Sequence, residues 1–210
     1  MTTFSTFFEE VERLNQDVLQ MGKLVSRLMN SSINCLIYGD KYTARKLIKK
    51  DKAIDQYDEE INARVFQLIT IQPPLPEELK NLSAIIRIIR ELERIGDNAV
   101  NISEITQSIS LSKEKEIVEV IQNMQEIIDK MLIDSLISIK DKSVEVAKSV
   151  ERQDDKIDQM FLELQEVIIN KMKNSKEIES LVPWLLVNRF LERSADHIVN
   201  ITRKVRSNLC

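Results

Sequence analysis

The chain has 210 residues, 43% of them hydrophobic and 30% charged, with a formal net charge of −4. That balance suits one large globular domain or two small ones sharing a core, and the absence of a strongly basic run gives no footprint for DNA or RNA. With only 3 Gly, 4 Pro and 5% aromatics, the composition argues against a loop-rich β fold and for long helices whose core is filled by Leu, Ile, Val and Met.

Six helical segments are expected in chain order. Thr6-Phe7-Phe8-Glu9 reads as a capping box opening the first. Leu14, Val18, Met21, Val25, Leu28 and Ile33 supply its buried stripe, and Gly39-Asp40 ends it. The second segment runs to about Ile71, where Gln72-Pro73-Pro74-Leu75-Pro76 is the strongest break in the chain. Pro76 with Glu77 and Glu78 suits the first turn of the third segment. Residues Ser108 to Ser112 separate it from the fourth, where Val118, Ile121, Met124, Ile128, Met131 and Leu132 form the stripe. The fourth ends near Ile139, and the fifth runs from about Asp141 to Met172. Asn174-Ser175 turns into the sixth, with Pro183 inside it or in its first turn.

The chain repeats itself. Arg90 to Ile102 aligns with Arg189 to Ile201 at an offset of 99, with eight of thirteen positions identical. Asp51-Lys52-Ala53-Ile54-Asp55-Gln56 aligns with Asp154-Asp155-Lys156-Ile157-Asp158-Gln159 at an offset of 103. Both pairs occur once per half and in the same order. The expected fold is therefore all-α, six helices arranged as two similar three-helix bundles, residues 1–108 and 109–210.

Each half carries two acidic pairs at i,i+4: Asp51/Asp55 and Glu93/Asp97, then Asp154/Asp158 and Glu192/Asp196. Such carboxylates share a helix face and repel by roughly 0.2–0.5 kcal/mol per pair unless a cation intervenes. The spacing is weak evidence alone, since random placement of 34 acidic residues gives roughly five such pairs and seven occur. Their placement says more. The midpoints of the paired motifs average to Pro74 in one half and Ser175 in the other, both inside expected turns. A helical hairpin at each turn brings four carboxylates to one height, about 30 Å from the bend. Such a cluster needs a counter-charge. Oxygen ligands suit Mg, Mn, Ca or Fe, with Zn less natural in the absence of His and Cys. The neighbouring Arg90, Arg94, Arg189 and Arg193 offer the alternative of an ion-pair network, and chemistry alone leaves both open.

Asn101 and Asn200, one turn beyond the acids, suit either orientation of a ligand or a helix–helix hydrogen bond. Gly96 and Ala195 suit close helix approach. His197, the only histidine, points about 100° away from Asp196 on a helix and is expected at a surface or interface. Trp184, Phe4, Phe7 and Phe8 read as core or partner-facing residues. No phosphate-binding loop, nucleophile elbow or zinc ribbon occurs, and no catalytic role is expected. The start Met1-Thr2-Thr3-Phe4 has no leader character, and no run reaches the roughly 18 apolar residues that span a bilayer. Cys35 and Cys210 read as free thiols in a reducing compartment.

At Leu92-Glu93-Arg94-Ile95-Gly96-Asp97 with Asn101-Ile102, and at Leu191-Glu192-Arg193 with Asp196-His197 and Asn200-Ile201, the chain resembles the PhoU family. The resemblance spans nearly its whole length. Ser194-Ala195 departs from the Ile-Gly of the usual second signature, and the tail after Ile201 is short. The resemblance implies two metal-cluster sites, one from Asp51, Asp55, Glu93 and Asp97, the other from Asp154, Asp158, Glu192 and Asp196, holding Fe, Zn, Mn or Mg. It implies a cytoplasmic negative regulator of the phosphate-starvation response that self-associates as a homodimer. It would act with a phosphate ABC transporter and its sensor histidine kinase at the membrane's cytoplasmic face. The same fold serving a sodium–phosphate transporter, a plain helical scaffold and a metal-dependent hydrolase are the competing readings.

Overall fold

In the computed structural model, which describes residues 3–108, 114–174 and 178–209, every described element is a helix. The order is α1 (Thr3–Tyr38), α2 (Lys41–Ile48), α3 (Asp51–Ile71), α4 (Pro76–Ser108), α5 (Lys115–Asp141), α6 (Val144–Asn174) and α7 (Ile178–Leu209). The expected turns at 108–112 and 174–175 lie wholly or partly outside the described residues, as does Cys210.

Local chemistry sets these limits. Gly39 adopts a left-handed φ of 69°, and the N–H groups of Gly39 and Asp40 donate to the carbonyls of Leu36 and Cys35. This closes α1 with the glycine-based motif that satisfies its last carbonyls. Asp40 then caps α2, its carboxylate accepting from the Thr43 amide at 3.0 Å. The α5–α6 turn repeats the α1–α2 turn, with the Ser143 amide donating to Ser138 and Lys142 in the left-handed position at φ 52°. Pro76 opens α4, and Glu78 reaches back to accept from the Leu75 amide at 2.7 Å. Pro183 lies inside α7, five residues from its start, where it costs the Glu179 carbonyl its i+4 donor.

Two local expectations are corrected. The first helix begins at Thr3, so Thr6 lies inside it and does not open it with a capping box. The second segment is interrupted: Lys49 and Lys50 form a tight turn between α2 and α3, with the Lys50 amide donating to Leu47 and the Ala53 amide to Lys50. Four lysines at 46, 49, 50 and 52 crowd like charge here, which disfavours a continuous helix.

The helices form two three-helix bundles. In the first, α1, α4 and the broken α2–α3 segment pack together; in the second, α5, α6 and α7 do. The bundles are joined by α4 against α7 and by α1 against α5, and one continuous hydrophobic core runs through both. The two sequence-predicted stripes lie in it, with only Val118 at its margin. Gly22 and Gly96 mark the closest approaches. A β-carbon on Gly22 would stand 2.4 Å from Leu136 of α5, and one on Gly96 2.8 Å from Ile54 of α3. Trp184 and Phe7 are buried, whereas Phe8 is exposed. Gly96 lets α3 pack closely against α4, and α6 packs against α7, which is what positions the acids.

Candidate functional site

The acidic motifs face each other across the two hairpins. Asp51, at the start of α3, feels Asp97 of α4 as well as its own neighbour Asp55, and Glu93 of α4 feels Asp58 of α3. In the second half, Asp154 and Asp158 of α6 face Asp196 and Glu192 of α7. The register is that of an α3–α4 hairpin bending near residue 74 and of α6 antiparallel to α7. Across the first hairpin Asp51 faces Asp97 while Asp55 stands beside Asp51 on its own helix, and across the second Asp154, Asp158, Glu192 and Asp196 face one another.

Burial makes these groups costly as anions. Asp51 and Asp154 are both pushed up to about 6, first by burial and then by the facing and adjacent carboxylates. Glu93 and Glu192 are raised above the usual carboxylate range, again mainly by burial; their side chains are only 15% and 13% exposed.

Arginines stand on the outer rim. Arg90 reaches Asp58 at 3.8 Å and Glu93 at 3.7 Å, Arg94 reaches Glu93 at 3.6 Å and Asp97 at 3.2 Å, and Arg189 reaches Glu192 at 2.7 Å. These guanidinium side chains are 52–60% exposed, and exposed ion pairs contribute about 0–1 kcal/mol. That is too little to reverse the burial, since the glutamates stay raised despite them. Glu192 Oε2 and Asp154 Oδ1 are buried with no hydrogen-bond donor, and Glu93 Oε2 has only the Arg94 guanidinium at 3.6 Å, beyond hydrogen-bond reach. A buried carboxylate oxygen without a donor is an unmet demand for positive charge. Each hairpin thus offers an oxygen-only donor set that fits a hard divalent cation. Among the described residues no three acidic, His or Cys side chains close on one point as a finished ion site.

Two contributors escaped the sequence reading. Asp58 continues the Asp51–Asp55 face at i+7 and was discoverable from that spacing. Glu104, which raises Asp51, continues the Glu93–Asp97 face at i+7 and was discoverable in the same way. Neither is repeated in the second half, where offsets of 103 and 99 place Phe161 and Arg203.

The flanking residues take structural parts. His197 Nδ1 lies 2.7 Å from Glu91 Oε2, and the Asn200 amide donates to the same oxygen at 3.4 Å, so both join α4 to α7. Asn98 donates to Ser194 Oγ at 3.1 Å in the buried centre of that junction.

A duplicated three-helix bundle with an acidic group between two long helices of each copy defines a class of helical proteins by fold and site together. The PhoU domain model matches the chain twice, at residues 18–106 and 121–205. The chain belongs to the PhoU family. It is 30% identical to the phosphate-specific transport system accessory protein PhoU homolog of Clostridium acetobutylicum, over 95% of this chain and 92% of that one. It is 29% identical to PhoU homolog 1 of Thermotoga maritima, over 95% and 87%. The crystal structure of the phosphate transport system regulatory protein PhoU from Streptococcus pneumoniae superposes with a TM-score of 0.89 at 28% identity, covering 96% of both chains. That of PhoU from Pseudomonas aeruginosa gives 0.91 at 23%, covering 96% and 98%, a likeness of fold.

Proposed function

We propose that this chain is a cytoplasmic, metal-binding negative regulator of phosphate transport and of the phosphate-starvation response. The observation that carries the reading is the end-to-end match to a phosphate-specific transport system accessory protein, with nearly all of both chains covered. No described helix is long and apolar enough to cross a membrane, so a membrane partner is reached by docking. The partners in this reading are a phosphate ABC transporter and its sensor histidine kinase, with the regulator acting as a homodimer.

Asp51, Asp55, Glu93 and Asp97 would hold one metal group, and Asp154, Asp158, Glu192 and Asp196 the other. A bound cation supplies positive charge to buried carboxylates and so stiffens each hairpin. The chain's own residues do the rest: Asp58 and Glu104 add negative potential, and the arginines limit the net charge of the rim. No catalytic step is assigned.

The test is complementation of a host lacking its own phosphate-transport accessory protein, read by a phosphate-starvation reporter in phosphate-rich medium. The wild-type chain restores repression. Metal content of untagged protein purified without chelator is measured beside it by elemental mass spectrometry. Asp97→Ala/Asp196→Ala loses the metal and the repression together. Failure of the wild-type chain to repress sinks the regulatory reading, and metal retained by the folded double variant sinks the site assignment.

A further inference from the structure

The basic residues of this acidic chain that line one cleft have been left without partners. Between the first half of α4 and the end of α7 lies an open cavity of about 430 Å³ lined by Lys80, Ser83, Arg87, Lys204 and Ser207 among others, with no carboxylate in its wall. Its size falls within the roughly 300–1,000 Å³ of small-ligand sites. Arg87 and Lys80 are exposed, Lys204 is half-buried, and none of the three has an ion-pair partner among the described residues. Asp58 and Glu91, which border an adjoining cavity with Arg87 and Lys204, have partners of their own: Asp58 faces Arg90 at 3.8 Å, and Glu91 holds His197 at 2.7 Å. By contrast Arg13, Arg64, Arg94, Lys171, Arg189 and Arg206 all find carboxylates.

The internal repeat shows that the fold does not require these charges. At the offset of 99, Lys80, Arg87 and Lys204 correspond to Glu179, Leu186 and Ile105. One copy of the junction therefore carries three cations where the other carries an acid and two aliphatic residues. Cations gathered in one cleft repel across less than a Debye length, and an anion relieves that repulsion. Two ammonium groups, a guanidinium fork and the Ser83 hydroxyl make a donor set matched to a tetrahedral oxyanion of the phosphate type, while the Ser207 hydroxyl donates to the Lys204 carbonyl at 3.0 Å.

We infer that the α4–α7 cleft around Arg87 and Lys204 is a binding site for a phosphate-class oxyanion, free or carried as a lipid headgroup. The inference goes beyond the regulatory reading and does not rest on it. It is distinct from the acidic groups, since Arg87 precedes Glu93 by about 9 Å along α4, although Arg87 and Lys204 also line the adjoining cavity that Asp58 and Glu91 border.

The test uses the full chain after chelator treatment, so that phosphate held through a metal makes no contribution. Inorganic phosphate is titrated by calorimetry at low ionic strength, and vesicles of phosphatidylglycerol or phosphatidylcholine are assayed by co-sedimentation. Binding of phosphate, or of anionic vesicles only, identifies the source of the group. In either case Arg87→Gln/Lys204→Gln weakens it at least about tenfold, the loss expected for charged hydrogen-bond donors. Arg87→Lys retains most of the binding, and Lys23→Gln, an exposed lysine on α1, leaves it unchanged. Absence of binding to both phosphate and anionic vesicles overturns the inference. So does binding that survives the double variant at full strength.

Discussion

Lys142 holds a left-handed backbone that its first-half counterpart at offset 103 meets with Gly39. A side chain in that region costs roughly 1–2 kcal/mol, part of which glycine returns as entropy of the unfolded chain. Lys142→Gly is therefore expected to stabilise the protein by about 0.5–1 kcal/mol in urea denaturation; a loss of stability would mean that the lysine side chain makes a compensating contact. The acids give a second outcome with a definite sign. Because Asp51 and Asp154 are raised to about 6 when folded, the native state holds protons that the unfolded state has released. Their contribution to stability is full below the ordinary aspartate range and is lost as pH rises through about 6. In metal-free protein Asp51→Asn/Asp154→Asn should match wild type near pH 4 and exceed it at pH 7, by about 1 kcal/mol after solvent screening. Denaturation at the two pH values checks this, and a double variant weaker than wild type at pH 7 would show that the carboxylates are already compensated.

The α3–α4 and α6–α7 hairpins are copies that have diverged around the same acids. Glu104 raises Asp51, whereas Arg203 at the matching place lowers Asp154, and Asp58 is matched by Phe161. The first hairpin is thus the stronger trap for a cation on electrostatic grounds. Mn titration should show tighter uptake by Asp196→Ala, which keeps the first group, than by Asp97→Ala, which keeps the second. Glu104→Arg/Arg203→Glu should reverse the order; equal affinities in both single variants would leave the divergence without consequence. The sequence carried much of this. A Pro-rich break, an Asn-Ser break, helical periodicity and two offsets sufficed to set Asp51 opposite Asp97 and Asp154 opposite Asp196. It did not carry the α2–α3 break, because Lys49 and Lys50 are ordinary helix formers and the strain arises from crowded charge. Asp58 and Glu104 lay within reach, each seven residues beyond an acid of its own helix, but which facing acid each one acts on is fixed only by packing. The left-handed Lys142 was within reach, since the offset that pairs the Asp motifs also pairs it with Gly39.

The two bundles are not independent bodies joined by a linker. Ser26 donates to Asp129 at 2.7 Å, Gln125 donates to Asn30, and Gly22 admits Leu136 against the α1 backbone, all between α1 and α5. Asn98–Ser194 and Glu91–His197 cross between α4 and α7. Aliphatic residues of both halves belong to one continuous core, and each fully buried one contributes about 1.5–3 kcal/mol. Against a total of about 5–15 kcal/mol for a domain, neither half has stability to spare if its partner leaves. Unfolding should accordingly be one event. Trp184, the only tryptophan, is 1% exposed and sits in the second half, so its fluorescence reports that half alone while circular dichroism reports every helix. The two urea curves should coincide. Ile61→Ala, a core truncation in α3 of the first half, should then move the Trp184 midpoint as far as it moves the helical one, in keeping with the 2–5 kcal/mol such cavities cost. A Trp184 transition that ignores Ile61→Ala would show that the halves melt separately. Any signal passing between the two acidic groups would then have to travel without the shared core.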